Sequence, residues 1–255
     1  MIRRRKEPAC EDAYAASLPT TPALLFGTMC GRYASYLPAE AMRRTFRAID
    51  PLLNLEPSWN VAPTQLAPVV RRHPATGERH LDLLQWGLLP YFTKDPGHAR
   101  RPINARAETV AKSGMFRRAF ELRRAIVPAD AFYEWRVVEH GKQPYATARQ
   151  DGEPMAFAGL WEGFRWPDGN VTRSFTIITT DASLDVAELH ERMPVILEPG
   201  DWPGWLGEAP GDPASLLHPS PAGTLHVWPV GRRVNSPKNN GPELLEAIDL
   251  AGQST

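Results

Sequence analysis

Met29-Cys30-Gly31-Arg32-Tyr33 sets a small residue, cysteine, directly after a methionine. This is the context in which an initiator methionine is removed. A chain that starts at Cys30 carries an α-amine and a thiol on one carbon, and that pair suits an aldehyde. An α-amine with a reference pKa of about 7.7–8.0 is substantially neutral near pH 7 and forms a Schiff base. The thiolate can then add to the imine carbon and close a five-membered ring. As an internal residue, the same cysteine reads as a small buried hydrophobe.

Three further groups have side chains fit for such chemistry. In Asn104-Ala105-Arg106 the polar residues are two apart, so an extended segment presents both on one side. The Asn104 amide can hydrogen-bond a sugar, and the Arg106 guanidinium can grip a phosphate. Glu134 lies between Tyr133 and Trp135; partial desolvation there raises a carboxyl toward the range of a general acid or base. His190-Glu191-Arg192 pairs an imidazole that titrates near neutrality with a second phosphate-binding cation. Trp59 and Trp86 each stand beside turn-forming residues, where an indole either stacks on an unpaired base or packs in the core.

The elements that must hold these residues are mostly strands. Expected strands are Cys30–Ala34, Leu81–Trp86, Ala125–Val127, Ala131–Val138 and Leu225–Pro229, with a further short one at Val69-Val70. Met155–Phe164 and Thr172–Thr180 form a hairpin through Pro167-Asp168-Gly169-Asn170. Short helices are expected at Pro38–Ile49, at Ser113–Phe120 with Ser113 as N-cap, and at Leu184–Leu189. Strands that outnumber helices without alternating with them predict an α+β domain with a largely antiparallel, barrel-like β core. The 26 prolines keep helices short.

With 255 residues and 42% hydrophobic content, the chain suits one globular domain. We place it at 29–240, with 241–255 as a tail. Residues 1–28 lack periodicity and read as a disordered extension, or as sequence upstream of the true start. No apolar run approaches the length of a membrane span, and no cysteine or histidine spacing points to zinc or another cofactor. These features predict a cytoplasmic protein. Net charge is zero, but 97–124 is rich in arginine while 198–221 holds Glu198, Asp201, Glu208 and Asp212 without a cation. Such asymmetry reads either as a local anion-binding face or as solvated helix surface.

Taken in order, these blocks resemble the SRAP (SOS-response-associated peptidase) family. The resemblance runs from Met29 to about Asn235. It rests on Cys30-Gly31-Arg32, Trp59-Asn60-Val61-Ala62-Pro63, Trp86-Gly87-Leu88, Asn104-Ala105-Arg106-Ala107-Glu108, Pro128–Trp135, Phe157-Ala158-Gly159-Leu160-Trp161 and His190-Glu191-Arg192-Met193-Pro194. It implies a barrel-like core with a basic channel that binds single-stranded DNA containing abasic sites; we expect a monomer, nucleoid-associated when bound to DNA. The Cys30 amine and thiol would trap the ring-opened sugar as a thiazolidine. Asn104 would position that sugar, Glu134 would transfer protons, and His190 would assist ring opening or reversal. Arg32, Arg106 and Arg192 would hold the flanking phosphates. One departure is that residues 1–28 precede Met29, and an acylated Cys30 nitrogen cannot form the Schiff base. Two other readings stand beside this one: a cysteine peptidase or amidohydrolase using Cys30, His190 and Glu134, possibly cutting its own chain, and a noncatalytic single-strand binding module.

Overall fold

The computed structural model describes residues 30–49, 55–139 and 141–250. Five strands close a ring: β3 (Leu66–Arg72), β4 (Arg79–Trp86), β6 (Arg124–Ala129), β9 (Met155–Arg165) and β10 (Val171–Asp181). The order β10-β4-β3-β6-β9 returns to β10 through the β9–β10 hairpin. All its pairings are antiparallel except β10 with β4. The short β5 (Asn104–Arg106) and β11 (Arg192–Pro194) extend the ring along β10. A second, wholly antiparallel sheet contains β1 (Tyr33–Ser35), β2 (Ser58–Val61), β7 (Ala131–Val138), β8 (Gly141–Arg149) and β12 (Leu225–Pro229), in the order β12-β8-β7-β1-β2. Closure leaves the ring's strands without bare edges.

The chain crosses from ring to second sheet between β6 and β7, at Asp130. The Asp130 carboxylate accepts from the Tyr36 and Leu37 N–H groups at 2.6 and 2.9 Å. It thereby satisfies two backbone donors where β1 gives way to the loop before α1 (Ala39–Phe46). Glu134 lies four residues further on, so the crossover fixes its place relative to β1. Ring residues Val69, Leu84, Trp86, Val127, Phe157, Phe175 and Ile177 bury one shared core. Gly159 is required there, because a Cβ would come within 3.0 Å of Val127 and 3.2 Å of the Thr176 carbonyl.

The expected fold class, hairpin and principal strands are present. β8 was not anticipated, nor was α4 (Trp202–Leu206), which buries Trp202 and Trp205 against α1 and β6. Residues 184–189 form turns rather than a helix. The Asp185 carboxylate accepts from the N–H groups of Gly223 and Leu225, tying that segment to the start of β12. Ser113 does not cap a helix; it closes a turn after α2 (Ala107–Val110), and α3 begins only at Arg117 (Arg117–Leu122). The 198–221 acids are partly spoken for, with Glu198 bound to Arg149 and Glu208 to Arg79.

Trp86 is fully buried, stacked on Phe175 and edge-on to Tyr33, and its indole N–H donates to the Ile103 carbonyl at 2.9 Å. Trp86→Ala is expected to cost about 3–5 kcal/mol by urea unfolding, whereas Leu184→Ser at an exposed turn should cost under about 0.5 kcal/mol. Equal costs would show that Trp86 is not a central core ring.

Candidate active site

Antiparallel pairing of β1 with β7 sets Tyr33 opposite Phe132, and the Tyr133 N–H donates to the Arg32 carbonyl at 3.0 Å. Continuing that register past the start of β1 sets Gly31 opposite Glu134, with Cys30 one residue beyond. There the Cys30 backbone nitrogen donates to Glu134 Oε1 at 2.7 Å, with both residues buried. Burial pushes the Glu134 carboxyl up to about 7, against the opposing pull of the Cys30 and Trp135 N–H groups and of the charge on Lys142. The Cys30 thiol is raised well above its ordinary value, first by burial and then by Glu134. A neutral thiol thus sits beside a carboxyl poised to exchange protons near neutrality. Cys30 also has φ +35°, a left-handed backbone that side chains other than glycine rarely adopt.

Val186 and Met193, on either side of His190, pack in the same core cluster as Cys30, and Ile103, next to Asn104, packs against it. His190 and Asn104 thus flank residues of the core that also takes in Cys30. Lys142 acts electrostatically on both Glu134 and His190. His190 Nδ1 accepts the Arg192 N–H at 3.0 Å, which puts the proton of the neutral ring on Nε2. Burial lowers the pKa of this imidazole. Asn104 opens β5, paired in parallel with β10 opposite Ile177.

Arg32 is half-buried. Its Nη1 donates to Asn60 Oδ1 and to the Val234 carbonyl, both at 2.8 Å, and its guanidinium lies 6.0 Å from the Trp135 ring. No carboxylate pairs with it among the described residues. The site therefore holds a cation with only neutral partners, which favours an anion nearby. Buried Asn60 also spends its amide on the carbonyls of Val234, Ser236 and Asn239. Composition and spacing gave Asn60 no role; only its place beside Trp59 in the Trp59–Pro63 block marked it. Trp59 stacks on Tyr36 at 5.6 Å and remains partly exposed.

Arg106 is exposed and without an ion-pair partner among the described residues. Two expectations need correction. Arg192 is not an open phosphate contact: it is 7% exposed, forked onto Glu108 at 2.6 and 3.0 Å and bound to Asp181 at 2.7 Å. Nor can Trp86 stack on a base, since it has no exposed face. The exposed aromatic pair is instead Tyr91 and Phe92, edge-on at 5.4 Å, with Arg123 over Tyr91. Two adjacent aromatics followed by a basic loop were the available signal. Among the described residues no three His, Cys, Asp or Glu side chains are placed to hold a metal ion, and no helix is long and apolar enough to cross a membrane.

The protein is thus a closed ring beside a second sheet that carries a buried cysteine–glutamate contact, with an asparagine on β5 and a histidine in the loop before β11. Residues 29–237 match the family described as SOS response associated peptidase (SRAP), and the chain belongs to that family. It is 38% identical over 226 residues to the abasic site processing protein YoqW of Bacillus subtilis, covering 86% of this chain and all of that one. It is 32% identical over 231 residues to YedK of Escherichia coli, also an abasic site processing protein, covering 86% of this chain and 100% of its relative. HMCES of Xenopus tropicalis, of the same description, is 33% identical over 228 residues, covering 76% and 67%. A solved structure from Bordetella bronchiseptica superposes with TM-score 0.68 at 30% identity, over 79% of this chain and all of that one. Another from Bacteroides thetaiotaomicron shares the fold with TM-score 0.74 at 23% identity, over 85% and 99%.

The Glu134 environment fixes a pH dependence. A carboxyl raised from 4.5 to about 7 binds its proton more tightly folded than unfolded, so the folded state loses stability as pH rises from about 4.5 to 7. Glu134→Gln has no such proton. The difference in stability between variant and wild type should shift in the variant's favour by on the order of 2–3 kcal/mol between pH 5 and 8. A difference that stays flat across that range would mean Glu134 is ionised throughout.

Proposed function

We propose that this chain processes abasic sites in single-stranded DNA by trapping the ring-opened sugar on Cys30 as a covalent thiazolidine. The observation that carries the reading is the buried contact of 2.7 Å between the Cys30 nitrogen and Glu134 Oε1, reinforced by what the relatives are named for. The chemistry requires the Cys30 nitrogen to be a free amine, hence a chain without the Met29–Cys30 peptide bond.

As the ring opens to the aldehyde, the bond from C1 to the ring oxygen breaks and the C1 hydroxyl proton passes to that oxygen, with His190 assisting by a hydrogen bond from its Nε2–H. Asn104 holds the opened sugar by hydrogen bonding. The Cys30 amine attacks the aldehyde carbon, and Glu134 carries two protons in turn from nitrogen to the former carbonyl oxygen, the first giving a hydroxyl and the second releasing it as water to leave an imine. The Cys30 sulfur then adds to the imine carbon, its proton passing to nitrogen, and the five-membered ring closes. A carboxyl near 7 can give and accept a proton at physiological pH. Sulfur is held as a thiol until the imine forms, which orders the two bond-making steps. Arg32 and Arg106 supply phosphate contacts, and Trp59 and the Tyr91–Phe92 pair supply stacking surfaces for unpaired bases.

Two measurements test this. The first is a time course of denaturation-resistant adduct on abasic single-stranded DNA, using protein beginning at Cys30. Cys30→Ala should give none, and Glu134→Gln should slow formation by about 10²–10⁴-fold with binding to undamaged strands nearly unchanged. Adduct formation at the wild-type rate in Cys30→Ala would refute the nucleophile, and a matching loss of binding in Glu134→Gln would make that residue structural. The second is the salt dependence of binding. Arg32→Ala and Arg106→Ala should each lower the logarithmic slope by about 0.7, while Arg192→Ala should act mainly by lowering stability. A slope unchanged in both of the first two variants would remove them from the DNA path.

A further inference from the structure

A second basic feature lies where β3 ends at Arg72 and β6 begins at Arg124. Between them opens a cleft of about 710 Å³, walled by the β3–β4 turn, the end of α3, Trp161 and the end of α4.

Two guanidinium groups converge there on Gly207. Arg72 Nη1 donates to the Gly207 carbonyl at 2.8 Å, and its Nε donates to the Gly77 carbonyl at 3.2 Å. Arg124 Nη1 donates to the carbonyls of Phe120 and Glu121 at 2.6 and 3.1 Å, and its Nε to that of Trp205. Arg124 Nη2 stands 3.1 Å from where a Cβ on residue 207 would lie, and Gly207 itself has φ +74°. A side chain at 207 would strain the backbone and crowd Arg124; glycine leaves the space between the two cations clear.

Every acceptor these arginines use is a neutral carbonyl, and neither has a carboxylate within ion-pair distance among the described residues. The other charges nearby are matched: Arg123 by Glu162 at 2.7 Å and Arg71 by Asp82 at 2.6 Å. Glu121, also in the cleft wall, is paired with Arg118 at 3.9 Å. Burial lowers the pKa of Arg124, which registers a charge that lacks a counterion. The carbonyl dipoles offset only part of each charge. An anion in the cleft supplies the counterion that both lack, and guanidinium forks match the oxygens of a phosphate.

We propose that the Arg72–Arg124 cleft is a second anion site that takes a phosphate group, either a free phosphate ester or a backbone phosphate of DNA running beyond the Cys30 site. Only the DNA source rests on the proposed function above.

The test reads thermal unfolding of the full chain in inorganic phosphate against sodium chloride of equal ionic strength. Wild type, Arg72→Gln and Arg32→Gln are compared; Arg72 is exposed, so its replacement leaves the fold intact. At about ten times Kd, phosphate should raise Tm by about 3–6 °C, most of it lost in Arg72→Gln and kept in Arg32→Gln. An equal response in wild type and Arg72→Gln overturns the proposal. So does a response lost only in Arg32→Gln, which would put the anion at the Cys30 pocket. A second arm titrates undamaged single strands of increasing length. A backbone phosphate as occupant predicts that Arg72→Gln lowers the salt slope by about 0.7 on long strands only. Slopes unchanged at every length, with the thermal response intact, assign the cleft to a free phosphate ester. Adduct formation on a short abasic strand should be the same in Arg72→Gln and wild type, so failure of the crosslinking chemistry leaves the phosphate result standing.

Discussion

The contact between the Cys30 nitrogen and Glu134 governs both the shape of this site and its electrostatics. A carboxyl group with so little exposure is costly unless donors meet it, and two backbone N–H groups, from Cys30 and Trp135, do so. The same contact fastens the segment ahead of β1 to β7, so Cys30 is anchored in the interior rather than left at the surface. Neither partner keeps its character alone: without Glu134 the nitrogen lacks its acceptor, and without the nitrogen the carboxyl is driven further from its ionised form.

Around that pair the protein uses arginine in two opposed ways. Arg192 is sunk into a cage of two carboxylates and a carbonyl that holds β10, β11 and the residues after β5 together. Truncating one partner of such a cage strands a buried charge. Arg32 is held just as firmly, but by an amide and a carbonyl, so its orientation is fixed while its charge is left uncompensated. Asn60 makes this possible by accepting from Arg32 while binding three carbonyls of the 234–239 segment.

The sequence made the local and periodic features legible. The Pro167–Asn170 turn between two β-rich runs gave the hairpin that closes the ring, and Tyr133-Glu134-Trp135 marked a desolvated carboxylate from its neighbours alone. What escaped depends on residues far apart in the chain. The carboxylates that occupy Arg192 come from positions 84 and 11 residues away. Trp86 is enclosed by Tyr33, Ile103 and Phe175, brought together only by ring closure. Residues 184–189 have a helical look, but an aspartate reaching to residues 223 and 225 outweighs that local preference. The extension at 1–28 and His140 lie outside the described residues.

The backbone angle at Cys30 has a thermodynamic corollary. φ is a torsion about the N–Cα bond that is defined only when a preceding carbonyl carbon is attached. At +35° it lies toward the left-handed region, which costs a residue with a side chain roughly 1–2 kcal/mol. A chain whose first atom is the Cys30 nitrogen has no such torsion and carries none of that penalty. A peptide bond ahead of Cys30 is thus held under backbone strain that a chain starting at the cysteine does not carry.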